Sequence, residues 1–267
     1  MSYSEADDFA EKERALADMA PWCAYLADGG QASRSLEVGG AGGLLAGLFA
    51  QCYGQVTCTD IIDWEAQYDG RFVTLLGEKF ERNGKLYDPA KVALKVADAQ
   101  ELKFADNAFD FVFSLNAFEH IPDPERGLRE AIRVVRPGGR VYIQFDPVWT
   151  ADSGSHFLHR IGQPWAHLVM TDEEIAVLMT ANGAASDEIE SYRHHMNRLP
   201  AAYYRDSLPA IAADAGANVI AQQSWLGVCD NTYLESPNLA LAASILDVPQ
   251  EDLLIRGFRY VFEKGNI

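Results

Sequence analysis

The sequence predicts an α/β fold with a doubly wound, mostly parallel sheet. Strand-like and helix-like segments alternate between residues 35 and 145, a nearly continuous apolar run (AFDFVFSL) covers residues 108–115, and a glycine cluster follows the first strand. Such alternation predicts right-handed crossovers between parallel strands. A strand that helices cover on both faces is apolar throughout, as residues 108–115 are.

The elements of this first part follow in chain order. Phe9, Leu16 and Met19 recur at helical spacing, which predicts a helix over residues 5–28 with a break at Asp28-Gly29-Gly30. Short runs of strand-forming residues alternate with helical segments after that break. We expect strands at 35–38, 55–59, 92–96, 108–115 and 140–145, and helices at 44–53 and 64–82.

The best-marked helix follows the fourth strand. Asp123 is the expected N-cap, Pro124 stands at the first helical position, and Pro137-Gly138-Gly139 is expected to end the helix. Its buried stripe is predicted to consist of Leu128, Ala131, Ile132 and Val135.

After Pro147 the regular alternation weakens. Residues 148–170 are rich in His, Trp and Gly. Thr171 and Glu174 have the spacing of a capping box, which predicts a helix over residues 171–182. Further strands are expected at 188–193, 219–228 and 257–263.

Composition excludes several classes of function. The chain has 22 Lys and Arg against 39 Asp and Glu, a net charge of −17, and 48% hydrophobic residues. Such a chain is globular, and its charge disfavours nucleic acids and anionic membranes as partners. Four scattered cysteines without a CxxC pair indicate a reducing compartment, and the acidic N-terminal stretch does not resemble a signal peptide. We therefore expect a cytoplasmic protein that acts on small molecules.

The glycine cluster at residues 39–43 connects the first strand to its helix. Glycine lets the backbone approach a ligand closely, although a plain tight turn is the alternative interpretation. The dinucleotide fingerprint needs glycines at i, i+2 and i+5, and no register between Gly39 and Gly47 supplies them. The sequence instead has Glu37-x-Gly39-x-x-x-Gly43, and Asp60 follows Glu37 by 60 − 37 = 23 residues.

This pattern resembles the first motif of class I S-adenosylmethionine-dependent methyltransferases, [D/E]-x-G-x-G-x-G, with Ala41 in place of the middle glycine. Asp60 lies at a spacing that the family commonly shows. Residues 96–146 resemble the stretch that many small-molecule methyltransferases carry, so the resemblance covers roughly residues 35–146. It implies a Rossmann-like methyltransferase fold, with S-adenosyl-L-methionine as cofactor and S-adenosyl-L-homocysteine as product.

The resemblance also implies the residues that bind the cofactor. In the family, the acid at the end of the second strand binds the ribose hydroxyls through charge-assisted bonds. The Asp98-Ala99 position binds the adenine amino group, and Asn116 faces the reactive end of the cofactor. The expected cofactor-binding residues are Glu37, Gly39, Gly40, Ala41, Gly43, Asp60, Ile61, Asp98, Ala99 and Asn116.

Methyl transfer is an in-line displacement that needs positioning, desolvation and removal of a proton from the acceptor. We expect His120 and His156 to be the catalytic residues, because an unperturbed imidazole titrates at about 6.5 and suits proton removal. Packing or hydrogen bonding is the alternative role for either histidine. Trp165, His167 and Arg198 are the expected substrate-binding residues.

Histidine spacing also raises the question of a metal. His156 and His159 have HxxH spacing, with His167 or the His194-His195 pair as further ligands. Neither cysteine ligands nor an HExxH pattern accompanies them, so we expect no metal ligands.

We interpret the chain as a single methyltransferase domain over residues 1–267. Its expected parts are an N-terminal helical segment at 1–33, a cofactor-binding core at 34–147, a cover over the acceptor at 148–205, and completion of the sheet at 206–267. The expected function is methyl transfer to an oxygen or nitrogen of a small molecule, with sugars and secondary metabolites as candidates. A non-catalytic S-adenosylmethionine-binding protein and a nicotinamide-dependent reductase are the alternatives, and the missing dinucleotide fingerprint disfavours the reductase.

Overall fold

A computed structural model describes residues 4–27, 33–227 and 231–266 of the chain. The predicted break at Asp28-Gly29-Gly30, Cys229 and the last residue of the strand predicted at 219–228 lie outside the described residues.

Within the described residues, seven strands form one sheet. They are β1 (Arg34–Val38), β2 (Gln55–Asp60), β3 (Val92–Val96), β4 (Phe109–Leu115), β5 (Val135–Phe145), β6 (Ala217–Leu226) and β7 (Ile255–Lys264). Their order in the sheet is β3-β2-β1-β4-β5-β7-β6. Strands β1 to β5 pair in parallel, and β7 is antiparallel to both β5 and β6. The predicted doubly wound, mostly parallel sheet is confirmed.

Helices precede, connect and follow these strands. The longer ones are α1 (Glu5–Cys23), α2 (Leu44–Tyr53), α4 (Phe72–Arg82), α5 (Pro124–Val134), α8 (Asp172–Ala181), α9 (Ser186–His194), α10 (Ala201–Asp214) and α12 (Pro237–Leu246). The short ones are α3 (Trp64–Gln67), α6 (Leu158–Ile161), α7 (Ala166–Val169), α11 (Asn231–Leu234) and α13 (Gln250–Leu254), and a 3-10 turn covers Ala24–Leu26.

The central strand β4 divides the core into two clusters, because alternate residues of a strand face opposite sides of the sheet. Phe113 packs in one cluster with α1 and α2, where its ring centroid lies 4.7 Å from that of Phe49. Val112 packs in the other with Leu128 of α5 and Leu208 of α10. Burial on both faces explains why this strand is a nearly continuous apolar run.

Several local predictions are confirmed at the level of single residues. The helix α2 begins and ends at the predicted positions. The Asp123 carboxylate accepts a hydrogen bond of 3.0 Å from the Arg126 amide, as an N-cap should. Thr171 and Glu174 form the predicted capping box at the start of α8.

Three predictions of secondary structure are wrong. The helix α5 ends at Val134 instead of at Pro137-Gly138-Gly139, because Val135 already pairs with Phe109 in the sheet. Residues 188–193 lie in α9 instead of a strand. That helix begins where the Ala185 amide donates to the Glu188 carboxylate, which stabilises its first turn.

The third difference is a break in the helix predicted over residues 64–82. It divides into α3 and α4, because Asp69 and Gly70 adopt left-handed backbone angles, with φ of +52° and +72°. The Glu65 carboxylate accepts hydrogen bonds from the Phe72 and Val73 amides and so caps the second piece. The break lets α4 begin beside the loop that follows β1.

The segment after β5 forms a layer of its own. Residues from α6 to α9 enclose a cluster around Trp149, Ile175 and Tyr192. The boundary expected between residues 205 and 206 falls inside α10, which packs on the sheet. None of the helices in the described part of the chain is both long and apolar enough to cross a bilayer.

Candidate functional site

The loop after β1, residues 39–43, is fixed by backbone geometry and is called the glycine loop here. Gly39 has a φ of +70°, and a Cβ at this position would overlap the Ala117 side chain. A Cβ on Gly40 would overlap the Cys58 sulfur and the Glu37 carboxyl. Both positions therefore require glycine for steric reasons.

Ala41 stands where the family motif has its middle glycine. Its φ is +44°, in the left-handed region that costs an alanine about 1–2 kcal/mol relative to a right-handed conformation. The backbone therefore keeps the conformation of a glycine turn although the residue differs. The substitution costs stability locally and leaves the path of the loop intact.

Asp60 connects the glycine loop to the end of β2. Its Oδ2 accepts a 2.8 Å hydrogen bond from the Ala41 amide, and its Oδ1 accepts a 2.9 Å bond from the Ile62 amide. The Gly40 amide donates to the Thr59 carbonyl at 2.9 Å. Each carboxylate oxygen of Asp60 has a second lone pair with which it can accept a bond from a ligand.

Glu37 lies beneath the glycine loop. Its side chain is buried, and desolvation raises its pKa to about 8. Oε2 has no hydrogen-bond partner in the described part of the chain. The Cys58 thiol is buried beside it, and desolvation also raises the pKa of that thiol. At neutral pH this carboxyl is therefore largely protonated and able to donate a hydrogen bond.

A cavity of about 460 Å³ opens beside the glycine loop, which is a size typical of small-molecule sites. Its lining includes five residues that the sequence analysis expected at the cofactor: Glu37, Gly39, Gly40, Ala41 and Asn116. Gly43 is not part of the lining; a Cβ there would approach Leu94 and Leu76 instead. Its φ of +68° starts α2, so its role is to shape the backbone.

The sequence analysis did not predict that α1 and α4 line this cavity. The lining residues from this part of the chain are Lys12 of α1, Tyr68 before α4, and Phe72, Leu75, Leu76 and Lys79 of α4. Ion pairs hold α1 against α4, at 2.8 Å between Arg82 and Glu5 and 2.9 Å between Lys79 and Asp8. The amphipathic pattern of residues 72–82 could have indicated a buried face, but not that this face borders a ligand cavity.

A second, smaller space lies between the ends of β2 and β3. Its lining includes Asp60, Trp64 and Val96. The side chain of Val96 is 58% exposed, and that of Ile61, which follows Asp60, is 68% exposed. Asp98 and Ala99 follow β3 without lining either cavity. The Asp98 Oδ1 accepts bonds from the Gln100 amide at 2.8 Å and from its side chain at 3.0 Å.

The two predicted catalytic histidines lie close together at the carboxyl edge of the sheet. The ring centroids of His120 and His156 are 5.0 Å apart, and that of His195 lies 4.0 Å from His120. Burial lowers the pKa of His120 and of His156 to about 4. Both rings are therefore neutral at physiological pH. His195 was not predicted to belong to this group.

The three residues expected to bind substrate lie in the segment after β5. Trp165 is fully buried, and its indole nitrogen donates to the Leu253 carbonyl at 3.2 Å. His167 is buried as well, with Nε2 2.7 Å from the Trp149 carbonyl oxygen. Arg198 lies 3.0 Å from the Asp172 carboxylate and over the Trp149 ring. Trp165 and His167 thus pack inside the protein with their ring nitrogens beside backbone carbonyls, and Arg198 is partly exposed.

The sequence of this chain is similar to those of known methyltransferases over part of its length. A family model described as a methyltransferase domain matches residues 36–143. Methyltransferase GfsG of Streptomyces halstedii is 42% identical over 53 residues, 20% of this chain and 19% of that protein. The chloroplastic tocopherol O-methyltransferase of Arabidopsis thaliana is 43% identical over 53 residues, 20% of this chain and 15% of that protein. The matched stretch thus spans less than a fifth of these two curated relatives.

Solved structures share the fold over nearly the whole chain. A candidate sarcosine dimethylglycine methyltransferase from Galdieria sulphuraria has a TM-score of 0.54 at 18% identity, and the match covers 96% of this chain and 86% of that one. The phosphoethanolamine N-methyltransferase 2 of Haemonchus contortus, solved with phosphomonomethylethanolamine and S-adenosylhomocysteine, has a TM-score of 0.52 at 17% identity, covering 95% and 53%. Residues 36–143, which include the glycine loop, therefore resemble a methyltransferase domain, and the sheet that contains them has a fold that solved methyltransferase structures share.

Proposed function

We propose that this protein transfers the methyl group of S-adenosylmethionine to an oxygen or nitrogen of a small molecule, with S-adenosylhomocysteine as product. The observation that supports this most strongly is the hydrogen bond that Asp60 accepts from the Ala41 amide, which joins the end of the second strand to the glycine loop beside a cavity of about 460 Å³. Relatives named as tocopherol, 27-O-demethylrifamycin and phosphoethanolamine methyltransferases support a small-molecule acceptor.

The cofactor would lie along the carboxyl ends of β1, β2 and β3, where open α/β sheets bind ligands. Its ribose hydroxyls would bond to the Asp60 carboxylate, and its adenine would pack between the exposed side chains of Ile61 and Val96. Asp98 and Ala99 would bind the adenine amino group. Gly39, Gly40 and Ala41 would let the backbone approach the methionine part.

Asn116 and Glu37 would contribute polar groups at the same cavity. Asn116 has a φ of +52°, and its amide donates to the Gln144 carbonyl at 2.8 Å, which fixes its position after β4. The protonated Glu37 carboxyl would support the loop from below, where Oε2 still lacks a partner. Cofactor binding thus depends on strand ends that the sheet itself holds in place.

When bound, S-adenosylmethionine supplies an electrophilic methyl group on a sulfonium, and the acceptor must lose a proton as it takes the methyl group. The residues of the chain would exclude water, orient the acceptor and remove that proton. The cover would lie over the acceptor and exclude water. His120 and His156 lie at the edge of the sheet with neutral rings that can accept a proton, and their lowered pKa makes them weaker bases than a free imidazole.

The proposal is tested by calorimetry followed by an activity screen. We expect untagged protein to bind one S-adenosylhomocysteine per chain, and to release S-adenosylhomocysteine from S-adenosylmethionine when a suitable hydroxyl- or amine-bearing acceptor is present. Mass spectrometry detects both the product and the methylated acceptor. Binding without turnover on any acceptor class would favour the non-catalytic alternative, and no binding would contradict both.

A further inference from the structure

Three histidines from distant parts of the chain meet at the carboxyl edge of the sheet. His120 lies between β4 and α5, His156 between β5 and α6, and His195 directly after α9. One ring nitrogen of each lies within 4.8 Å of the corresponding nitrogens of the other two. We call these three residues the histidine cluster.

The rings are oriented as metal-binding imidazoles are. The Nδ1 of His120 lies 2.9 Å from the His195 carbonyl oxygen, which assigns the proton to Nδ1 and leaves the lone pair on Nε2. The Nε2 of His156 is buried and has no hydrogen-bond partner among the described residues. Histidine ligands usually donate the second ring N–H to a carbonyl or carboxylate, as His120 does.

Partial burial lowers the pKa of all three rings of the histidine cluster. His156 holds a left-handed backbone with a φ of +64°, a conformation that costs energy and aims its ring at the other two.

Glu119 provides an independent sign that a cation belongs here. Its side chain is fully buried, and neither carboxylate oxygen has a hydrogen-bond partner in the described residues. Oε1 lies 3.7 Å from Nε2 of His120. A buried carboxyl without partners is costly, and a cation held by the neighbouring rings would compensate it.

We propose that His120, His156 and His195 bind one divalent first-row transition metal ion, with Glu119 as the adjacent carboxylate. Imidazole nitrogens suit zinc, iron, nickel and copper. Tetrahedral coordination at about 2.0–2.1 Å puts the ligand nitrogens about 3.3 Å apart, so the rings need to approach one another by only small rotations. The spacing of histidines in the sequence could not show this site, because its ligands come from three separate segments. Our expectation that the chain has no metal ligands rested on such spacing patterns.

Three histidines leave one coordination position that takes water or substrate in catalytic metal sites. If the proposed methyl transfer is correct, the acceptor would be a molecule that binds this position through a hydroxyl or carboxylate oxygen. A metal-bound hydroxyl would lose its proton to bulk water more readily. Its oxygen would then form a bond to the methyl group as the methyl–sulfur bond of S-adenosylmethionine breaks, with S-adenosylhomocysteine as the leaving group. His120 and His156 would then be metal ligands in place of bases.

The test uses untagged, full-length protein that has been freed of metal with a chelator. Cobalt(II) is titrated in, and its visible d–d absorption reports the ligand set without any assay of methyl transfer. His195→Ala removes an exposed ligand. His194→Ala is the matched control, because His194 is the adjacent residue at the end of α9, is exposed and pairs with Glu190. Circular dichroism checks that both variants are folded.

We expect wild-type protein and His194→Ala to bind one cobalt ion with a tetrahedral or five-coordinate spectrum. His195→Ala should bind at least about 100-fold more weakly, and Glu119→Gln, which keeps the shape of the buried side chain, about 10- to 100-fold more weakly. Absence of stoichiometric binding by the wild type would overturn the proposal, as would equal affinity in His195→Ala. Because the readout needs no cofactor, these outcomes are distinguishable from a failure of the proposed methyl transfer.

Discussion

The two sides of the sheet edge are built by different means. On the side of β1 and β2, the proposed cofactor site is made of backbone: left-handed turns in the glycine loop and an amide bonded to Asp60. On the side of β4 and β5, the proposed metal site is made of side chains that come from three separate segments and form the histidine cluster. Backbone sites need particular residues at close spacing, whereas side-chain sites need only a fold that brings the residues together.

Among the changes that test this comparison, we expect the largest loss of cofactor binding from a substitution in the glycine loop. We expect Gly39→Ala to abolish measurable binding of S-adenosylhomocysteine, because its Cβ would overlap Ala117 and the loop would have to move. Gly84→Ala is the matched control: Gly84 has a φ of +65° but open space around its Cβ position. Calorimetry should show normal affinity in the control. Retained affinity in Gly39→Ala would mean that the loop does not form the cofactor site.

Asp60→Ala should have the next largest effect. Loss of charge-assisted bonds to the ribose typically costs about 1.5–3 kcal/mol, so we expect binding to weaken roughly 10- to 100-fold. Asp88→Ala, in an exposed turn, is the control that removes a carboxylate elsewhere. Isothermal titration calorimetry with S-adenosylhomocysteine measures the affinity of both variants. Equal affinities would remove Asp60 from the ribose site.

A third prediction concerns His167, in the predicted cover over residues 148–205, and the pH dependence of protein stability. Burial lowers the pKa of His167 to about 4, below its ordinary value of 6.5. Between these two values the unfolded chain binds more protons than the folded one, so this residue makes the protein less stable as the pH falls from 6.5 towards 4. Between pH 7 and pH 5 that contribution is about 2 kcal/mol.

His167→Gln should therefore lose about 2 kcal/mol less stability than the wild type over this pH interval. Urea unfolding at pH 7 and pH 5 measures the difference, and His159→Gln, on the exposed helix α6, is the control. An unchanged pH dependence in His167→Gln would indicate that this ring is accessible to solvent, as the original prediction of a substrate contact requires.

The smallest effect is expected at Ala41. Replacement by glycine removes the left-handed strain but adds freedom to the unfolded chain, so we expect stability to change by less than about 1 kcal/mol. Cofactor affinity should stay the same. A large loss of affinity would show that the Ala41 methyl group contacts the ligand, in contrast to a site made of backbone alone.

The pattern on the backbone-built side is readable in the sequence, because its determinants are local. Glu37, the glycine loop and Asp60 lie within one strand–helix–strand unit, and their spacing is visible in the chain. The surroundings of the side chains on the other side are not readable in this way. Trp165 and His167 have the composition of a binding surface, yet tertiary packing buries them, and His195 and Glu119 gain their surroundings from elements far away in sequence.

The helices show the same difference between local and long-range determinants. Asp123 and Thr171 cap helices through bonds to residues three positions away, and both caps were predicted. The end of α5 was not, because pairing between Val135 and Phe109 across the sheet competes with the helix signal. Interactions within a few residues are readable in sequence, and those between strands are not.

A crystal structure of the protein with S-adenosylhomocysteine tests the central claim most directly. The account predicts that the ribose hydroxyls bond to the Asp60 carboxylate, with adenine against Ile61 and Val96 and the homocysteine part beside Gly39 and Asn116. A complex in which the ligand binds elsewhere and leaves Asp60 bonded to the Ala41 and Ile62 amides alone would contradict it.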